Sequence, residues 1–430
     1  FTLDDLQKGG YKIYTTLDYT VQQIAGRYVA KGGNGYQYWN VNNSALMTTR
    51  PGTGEIISMA GSKSFYGQKE GCDANQQNCK YDPEVNVLTS LQEPGSSNKP
   101  MGYYLAYKDA KLFTGSFLPD IPISISSAGN NYTVRNWDGG YRGIDYTAEK
   151  ALRDSRNLPA IEVMQMIGVE NYAETARKWG YTTYPDNSQI GLSAILGGVS
   201  VRPIEHAQAY GVFANNGDLV QLNPILKIVD KNGNVVYEAK VERKNVADPQ
   251  AIFLLNQTIK NYDNYSWDGR EMGGKTGTTD NNIDAWFMGY SPDFVNVCWS
   301  GNNNNSPMDP NNGYPPLIIK QWCQDYLKEI GESPYLSAKT PFTRPGGVYE
   351  GGGDCNEEGC LGLSKGWLIE GRTPPRDVKR AKAVVCVDQQ DRLARPVDIA
   401  LGKSIEKDFT QYIMPVPEWQ SFLDQYMGKK

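Results

Sequence analysis

Residues 93–100 read Glu93-Pro94-Gly95-Ser96-Ser97-Asn98-Lys99-Pro100. They open a helix expected from residue 97 to about residue 111, with Pro100 in the first turn, where its missing N–H costs nothing. A serine hydroxyl is a poor nucleophile until a neighbouring group takes its proton. Residues three apart on a helix share a face, which brings Lys99 against Ser96. The positive end of the helix dipole favours an alkoxide-like oxygen and disfavours an ammonium, so it eases loss of the Ser96 proton and keeps Lys99 in the neutral form that can accept it. A free lysine has a pKa of about 10.4, and a lysine base near neutrality therefore also requires desolvation or a second cation nearby.

Histidine is the commoner base, but the chain holds a single one, His206, on the apolar face of an expected helix, where a satisfied core or surface histidine is the better reading. No G-x-S-x-G elbow is present, which disfavours a Ser-His-Asp hydrolase. The S-x-x-K pattern alone is weak, since Ser404-Ile405-Glu406-Lys407 also satisfies it, and S-x-N occurs at Ser96, Ser155 and Ser300. Order and context separate them. Ser96 and Lys99 begin a helix, Ser155-Arg156-Asn157 falls in a helical block over residues 148–214, and Lys275-Thr276-Gly277-Thr278 opens a strand meander. Ser155 and Asn157 can relay a proton and hold a substrate amide, while Lys275 supplies positive potential that keeps Lys99 neutral and attracts a carboxylate. Thr276 and Thr278 can bond a terminal carboxylate. Gly277 admits a substrate backbone close to the strand, and the N–H groups of Ser96 and Thr278 can form an oxyanion hole.

This triplet resembles that of penicillin-binding proteins and class A β-lactamases. Further segments resemble the transpeptidase region of class A (bifunctional) penicillin-binding proteins. Residues 93–100 are similar to its P-G-S-S-F-K-P segment, with Asn98 where the family has an apolar or aromatic residue. Gly274-Lys275-Thr276-Gly277-Thr278-Thr279, followed by Asp284-Ala285-Trp286-Phe287-Met288-Gly289-Tyr290, is similar to its K-T-G-T-T and D-A-W-F-x-G-Y run. The stretches at residues 10–18 and 210–217 also resemble family segments. The resemblance implies an α+β, serine transpeptidase/β-lactamase-like fold: an antiparallel sheet flanked by helices, with a helical subdomain. It also implies D,D-transpeptidase chemistry on peptidoglycan stem peptides through a Ser96 acyl-enzyme that β-lactam antibiotics would form too. Hydrolysis of the acyl group, as in a D,D-carboxypeptidase or β-lactamase, and a non-catalytic penicillin-binding sensor or scaffold are the alternatives.

Around these motifs, the sequence predicts a strand over residues 11–16, a helix from 19 to about 29 capped by Asp18, and a hairpin over 46–60 turning at Pro51-Gly52-Thr53-Gly54. A second hairpin over 224–238 turns at Asn232-Gly233, strands cover 283–290 and 294–300, and a helix lies near 317–330. Residues 1–44 are expected as a connector, 45–345 as the penicillin-binding transpeptidase domain, and 346–430 as a C-terminal strand and helix with a possible small accessory module. Of 430 residues, 39% are hydrophobic and 21% charged, so a folded chain is expected, and the net charge of -5 gives no nucleic-acid footprint. No apolar run approaches the roughly 20 residues of a membrane span, and the start Phe1-Thr2-Leu3-Asp4 is neither Met nor a signal peptide. A missing upstream part with a membrane anchor is therefore expected. Cys72 with Cys79 and Cys355 with Cys360 sit in polar loops as candidate disulfides, which favours the extracytoplasmic side of the cell membrane. Cys298 is expected as a buried thiol, and no cofactor or metal is expected.

Overall fold

The computed structural model describes residues 2–127, 130–260, 267, 269–309, 315–332, 336–356, 359–387, 394, 399–414 and 416–428. The chain forms two compact units, Phe1–Tyr104 with Gly168–Pro345, and Leu105–Ile167 with Gly346–Lys430.

Five strands and five helices organise the sites: β1 Asn43–Arg50, β2 Glu55–Ala60, β3 Gly273–Thr278, β4 Asp284–Tyr290 and β5 Val295–Gly301, with α1 Tyr19–Gly35, α2 Lys99–Lys108, α3 Asn157–Ile167, α4 Pro203–Ala214 and α5 Pro315–Gly331. In the first unit the strands make one sheet in the order β3-β4-β5-β1-β2, antiparallel throughout. The β1-β2 hairpin forms where Pro51 and Gly54 turn the chain. The Asp18 carboxylate caps α1 by accepting from the Val21 N–H at 3.0 Å.

One face of the sheet carries the row Phe287, Cys298 and Leu46. Helix α1 closes it with Val21, Ala25 and Val29, four residues apart, and α5 with Ile319, Trp322, Cys323, Tyr326, Leu327 and Ile330. Both helices present apolar residues at the three- and four-residue spacing that makes one stripe. Helix α1 lies in the stretch expected as a connector, yet it supplies part of this core. The other face carries Trp286 and Tyr290, against which α4 sets His206, Tyr210 and Phe213 at ring separations of 5.6–5.7 Å. Strands β4 and β5 are therefore buried along their whole length, and the alternation of Val295, Val297 and Trp299 separates two covered faces rather than core from solvent.

Cys298 is not a free thiol: it is bonded to Cys323, joining β5 to α5. The two are 25 residues apart, in a strand and a helix that meet only after folding, so no local spacing announces the pair. Cys72–Cys79 closes its loop as expected. Cys360 is disulfide-bonded and stands opposite Cys355 in a short antiparallel pair; the side chain of Cys355 lies outside the described residues.

In the second unit, strands Val378–Cys386 and Ser404–Tyr412 pair antiparallel over nine residues. The second S-x-x-K match thus lies on a strand and lacks the helix that would set Lys407 against Ser404. Phe117 stacks on Tyr412 at 4.9 Å, and Asp377 accepts from the N–H groups of Phe117 and Gly362 at 2.8 and 2.9 Å. Glu162 on α3 is wholly buried, and burial pushes its carboxyl up to about 8. It therefore stays protonated in the folded state between its ordinary value and pH 8, whereas the unfolded chain ionises, so stability falls as pH rises across that window. Glu162→Gln removes this proton linkage. Its stability relative to wild type should improve by about 2–4 kcal/mol between pH 5 and pH 8, measured by urea unfolding at both values.

Candidate active site

The expected helix begins two residues late, because Gly95–Asn98 forms a 3-10 turn before α2 starts at Lys99. Ser96 sits on that turn, half-buried, while Ser97 and Lys99 have no exposed surface. The Lys99 backbone N–H donates to the Ser96 carbonyl, placing the lysine one turn beyond the serine at the positive end of α2.

Strand β3, carrying Lys275 to Thr278, is an outer strand of the sheet, and the Gly95–Asn98 turn packs directly onto it. Gly95 has φ +55°, and a Cβ there would lie 2.4 Å from the Thr278 carbonyl oxygen. A Cβ at Gly277 would lie 2.3 Å from the Pro94 carbonyl oxygen. Neither position admits a side chain, and the two glycines let the S-x-x-K turn and the K-T-G-T strand meet backbone to backbone. This turn occupies the side of Gly277 on which a Cβ would stand. Trp286 on β4 anchors its entry, donating from Nε1 to the Glu93 carbonyl at 2.8 Å. Asn98, the departure from the family pattern, is buried, and its amide donates to the Tyr184 hydroxyl at 2.8 Å and the Ala194 carbonyl at 3.0 Å. A polar residue replaces an apolar one here because polar partners surround it.

Lys275 is fully buried and donates to the Thr276 carbonyl at 3.1 Å. Burial first, and then the charge of Lys320 on α5, draw its ammonium down to about 7, so near neutrality it is poised between charged and neutral forms. Thr276 and Thr278 are half-buried and alternate with Lys275 and Gly277 along the edge strand. Beyond the end of β3, Asp284 accepts from the Trp299 indole at 2.7 Å, and burial pushes its carboxyl up to about 7.

Ser155 and Asn157 belong to the second unit. Ser155 takes a left-handed conformation, φ +57°, immediately before α3. The segment Arg135-Asn136-Trp137-Asp138 holds this turn: the Asn157 N–H donates to Asn136 Oδ1 at 2.8 Å and the Asn157 amide to the Arg135 carbonyl at 2.7 Å. Arg156 points inward with no exposed surface and pairs with Asp120 and Asp138. Sequence reasoning passed over Arg156 as the variable middle of S-x-N, although an arginine flanked by motif residues and followed by an apolar helix has few ways to reach solvent. His206, expected as a satisfied core or surface histidine, is a buried and hydrogen-bonded one, but its partners were not foreseen. The signal was the placement of a polar ring on an apolar stripe, which requires a partner once buried.

The antiparallel sheet, the helices on its faces and the serine turn set against an edge strand define a transpeptidase/β-lactamase-like architecture. The sequence matches the penicillin binding protein transpeptidase domain over residues 45–313, and the chain belongs to that family, homologous to the transpeptidase domain of class A, bifunctional members. Among its relatives are penicillin-binding protein 2D of Bacillus subtilis, 27% identical over 395 residues that make up 87% of this chain and 53% of that protein. Penicillin-binding protein 1F of the same organism is 30% identical over 367 residues, 81% of this chain and 46% of the relative. The chain thus spans about half the length of these relatives. Among solved structures, penicillin-binding protein 1A from Haemophilus influenzae is similar with a TM-score of 0.68 at 20% identity, covering 86% of this chain and 73% of that one. The PonA1 protein from Mycobacterium tuberculosis in complex with penicillin V has a TM-score of 0.64 at 20% identity, covering 80% and 91%.

Proposed function

We propose that this chain is a D,D-transpeptidase that cross-links peptidoglycan stem peptides through an acyl-enzyme on Ser96, and that β-lactams acylate the same serine. The observation that carries this reading is the half-exposed Ser96, one turn before the fully buried Lys99 and packed on the edge strand of the K-T-G-T motif. Lys99 takes the hydroxyl proton as Ser96 attacks the penultimate D-Ala carbonyl of a stem pentapeptide, and the N–H groups of Ser96 and Thr278 receive the oxyanion. The peptide bond breaks, the terminal D-Ala leaves with the proton, and an amine of a neighbouring stem then takes the acyl group. Ser155 relays protons, Asn157 holds the substrate amide, Lys275 adds positive potential beside Lys99, and Thr276 and Thr278 bond the terminal carboxylate. Gly277 keeps strand and nucleophile turn close. Because β3 is an edge strand, an extended stem peptide can pair with its outer side.

The catalytic domain in this reading is residues 45–345, with 1–44 leading into it and 346–430 as an accessory part. The disulfides Cys72–Cys79 and Cys298–Cys323 support an extracytoplasmic site of action. Among the described residues no helix is long and apolar enough to cross a membrane.

Incubation with benzylpenicillin should add the mass of one penicillin per chain, mapped to the peptide containing Ser96. A D-Ala-D-Ala stem peptide with an acceptor amine should yield free D-Ala and a cross-linked dimer. D-Ala without dimer would make the protein a carboxypeptidase, and an unmodified, folded chain would leave it a scaffold.

A further inference from the structure

Beside the candidate nucleophile stands a second serine, enclosed on every side. Ser97 donates its hydroxyl proton to the Pro94 carbonyl at 2.7 Å. A hydroxyl has one proton to give, so in its 2.9 Å contact with His206 Nε2 the ring nitrogen must be the donor. That fixes the tautomer: Nε2 carries the hydrogen, and Nδ1 accepts from the Tyr181 hydroxyl at 2.5 Å. Burial pushes the imidazole down to about 3, so the ring is neutral, as this arrangement requires. The bonds run in one direction, from Tyr181 through His206 and Ser97 to the Pro94 carbonyl. That carbonyl is the group lodged against Gly277 on β3. Tyr210 adds a parallel tie, donating to the Ser97 carbonyl at 2.7 Å, and Tyr172 donates to the Asn98 carbonyl at 3.0 Å. Every one of these groups belongs to the first unit.

We propose that His206 is a positioning residue for Ser96: its Nε2–H bond to the Ser97 hydroxyl locks the Pro94–Ser97 turn against β3. The lock sets the direction of the Ser96 hydroxyl and of its backbone N–H. It rests on the reading of Ser96 as nucleophile. His206 does not exchange protons with Ser96 and touches no substrate; it holds the neighbour that shapes the turn. A displacement of the order of an ångström at a reacting group is enough to cost orders of magnitude in rate.

Two measurements test it separately. The chain has one histidine, so nitrogen-15 labelling of histidine gives the two ring resonances, Nδ1 and Nε2, of a single imidazole. At pH 7 the wild type should show the neutral ring with the hydrogen on Nε2. The opposite tautomer or an imidazolium, in a wild type that still takes penicillin, would overturn the positioning role alone. A wild type that shows the Nε2–H tautomer but takes no penicillin would overturn the reading of Ser96 and this role with it. The second measurement is the second-order rate constant for acylation by a fluorescent penicillin. His206→Phe should lower it about tenfold or more. His206→Gln, whose amide N–H can reach the place of Nε2–H, should recover most of the loss. Ser97→Ala should fall as far as His206→Phe, and the double variant should fall no further than either single one. Equal rates in the Phe and Gln variants overturn the proposal. If His206→Phe does not fold, an unchanged rate in Ser97→Ala does the same.

Discussion

Ser96→Ala is expected to take up no penicillin at any time, and Lys99→Met to acylate about 10²–10⁴ times more slowly than wild type, the usual worth of a positioned general base. In the proposed mechanism the two variants separate the bond-forming atom from the proton acceptor. Methionine keeps the length and apolar stem that Lys99 lays into its buried site, so packing changes little while the base is lost. The fall should appear in the acylation step, read as the rate of adduct formation by intact-mass spectrometry, with thermal unfolding of both variants close to wild type. A Lys99→Met chain that acylates at the wild-type rate would remove Lys99 from the mechanism and put the weight on Ser155 or Lys275. An adduct on Ser96→Ala would place the nucleophile elsewhere. The neighbouring Ser97 is fully buried, with its proton committed to the Pro94 carbonyl.

Arg156→Met should be the most damaging substitution outside the Gly95–Asn98 turn. The guanidinium donates to Asp120 from Nε at 2.7 Å, to the two oxygens of Asp138 at 3.0 and 3.1 Å, and to the Gly140 carbonyl at 2.7 Å. Asp120 has no exposed surface, and it also accepts from the Asn136 amide at 2.8 Å and the Arg142 N–H at 2.9 Å. Removing the arginine leaves the Asp120 carboxylate in a dry site without the guanidinium that pairs with it, at a cost of about 3–5 kcal/mol. Arg156→Lys should restore little, because a point charge cannot make the forked contacts. Asp120→Asn in the Arg156→Met background should recover part of the stability by removing the stranded charge. The functional effect follows from position. In the proposed mechanism Ser155 and Asn157, which flank Arg156, act on the substrate, and the segment that pairs with the guanidinium also holds Asn157, so acylation and stability should fail together. Urea unfolding followed beside penicillin uptake would show it; a variant with wild-type stability would mean that the ion cluster is ornamental.

Much of this architecture is written locally. Asp18 caps a helix, Pro51 and Gly54 turn the first hairpin, and Asn232 and Gly233 turn the second, where Asp230 accepts from the N–H groups of Asn232 and Asn234 at 2.8 and 2.9 Å. Each feature is complete within a few residues, because backbone conformation and nearby hydrogen bonds decide it. The serine, lysine and glycine motifs are legible for the same reason: the chemistry demands particular residues at short spacing. The apolar stripes of α1 and α5 are periodic, and periodicity also survives in the bare sequence.

What the tertiary structure alone decided are pairings between residues that local rules never compare. His206 finds Ser97 across 109 positions, Arg156 finds Asp120 across 36, and Cys298 finds Cys323 across 25. The closeness of Gly277 to Pro94 and the burial that brings Lys275 down to about 7 are of this kind too. Sequence determined which elements form and which residues bear reactive groups. Which of those groups lose their water, and against whom they are then set, is fixed only when elements pack, because desolvation and long-range contact are properties of the assembled core.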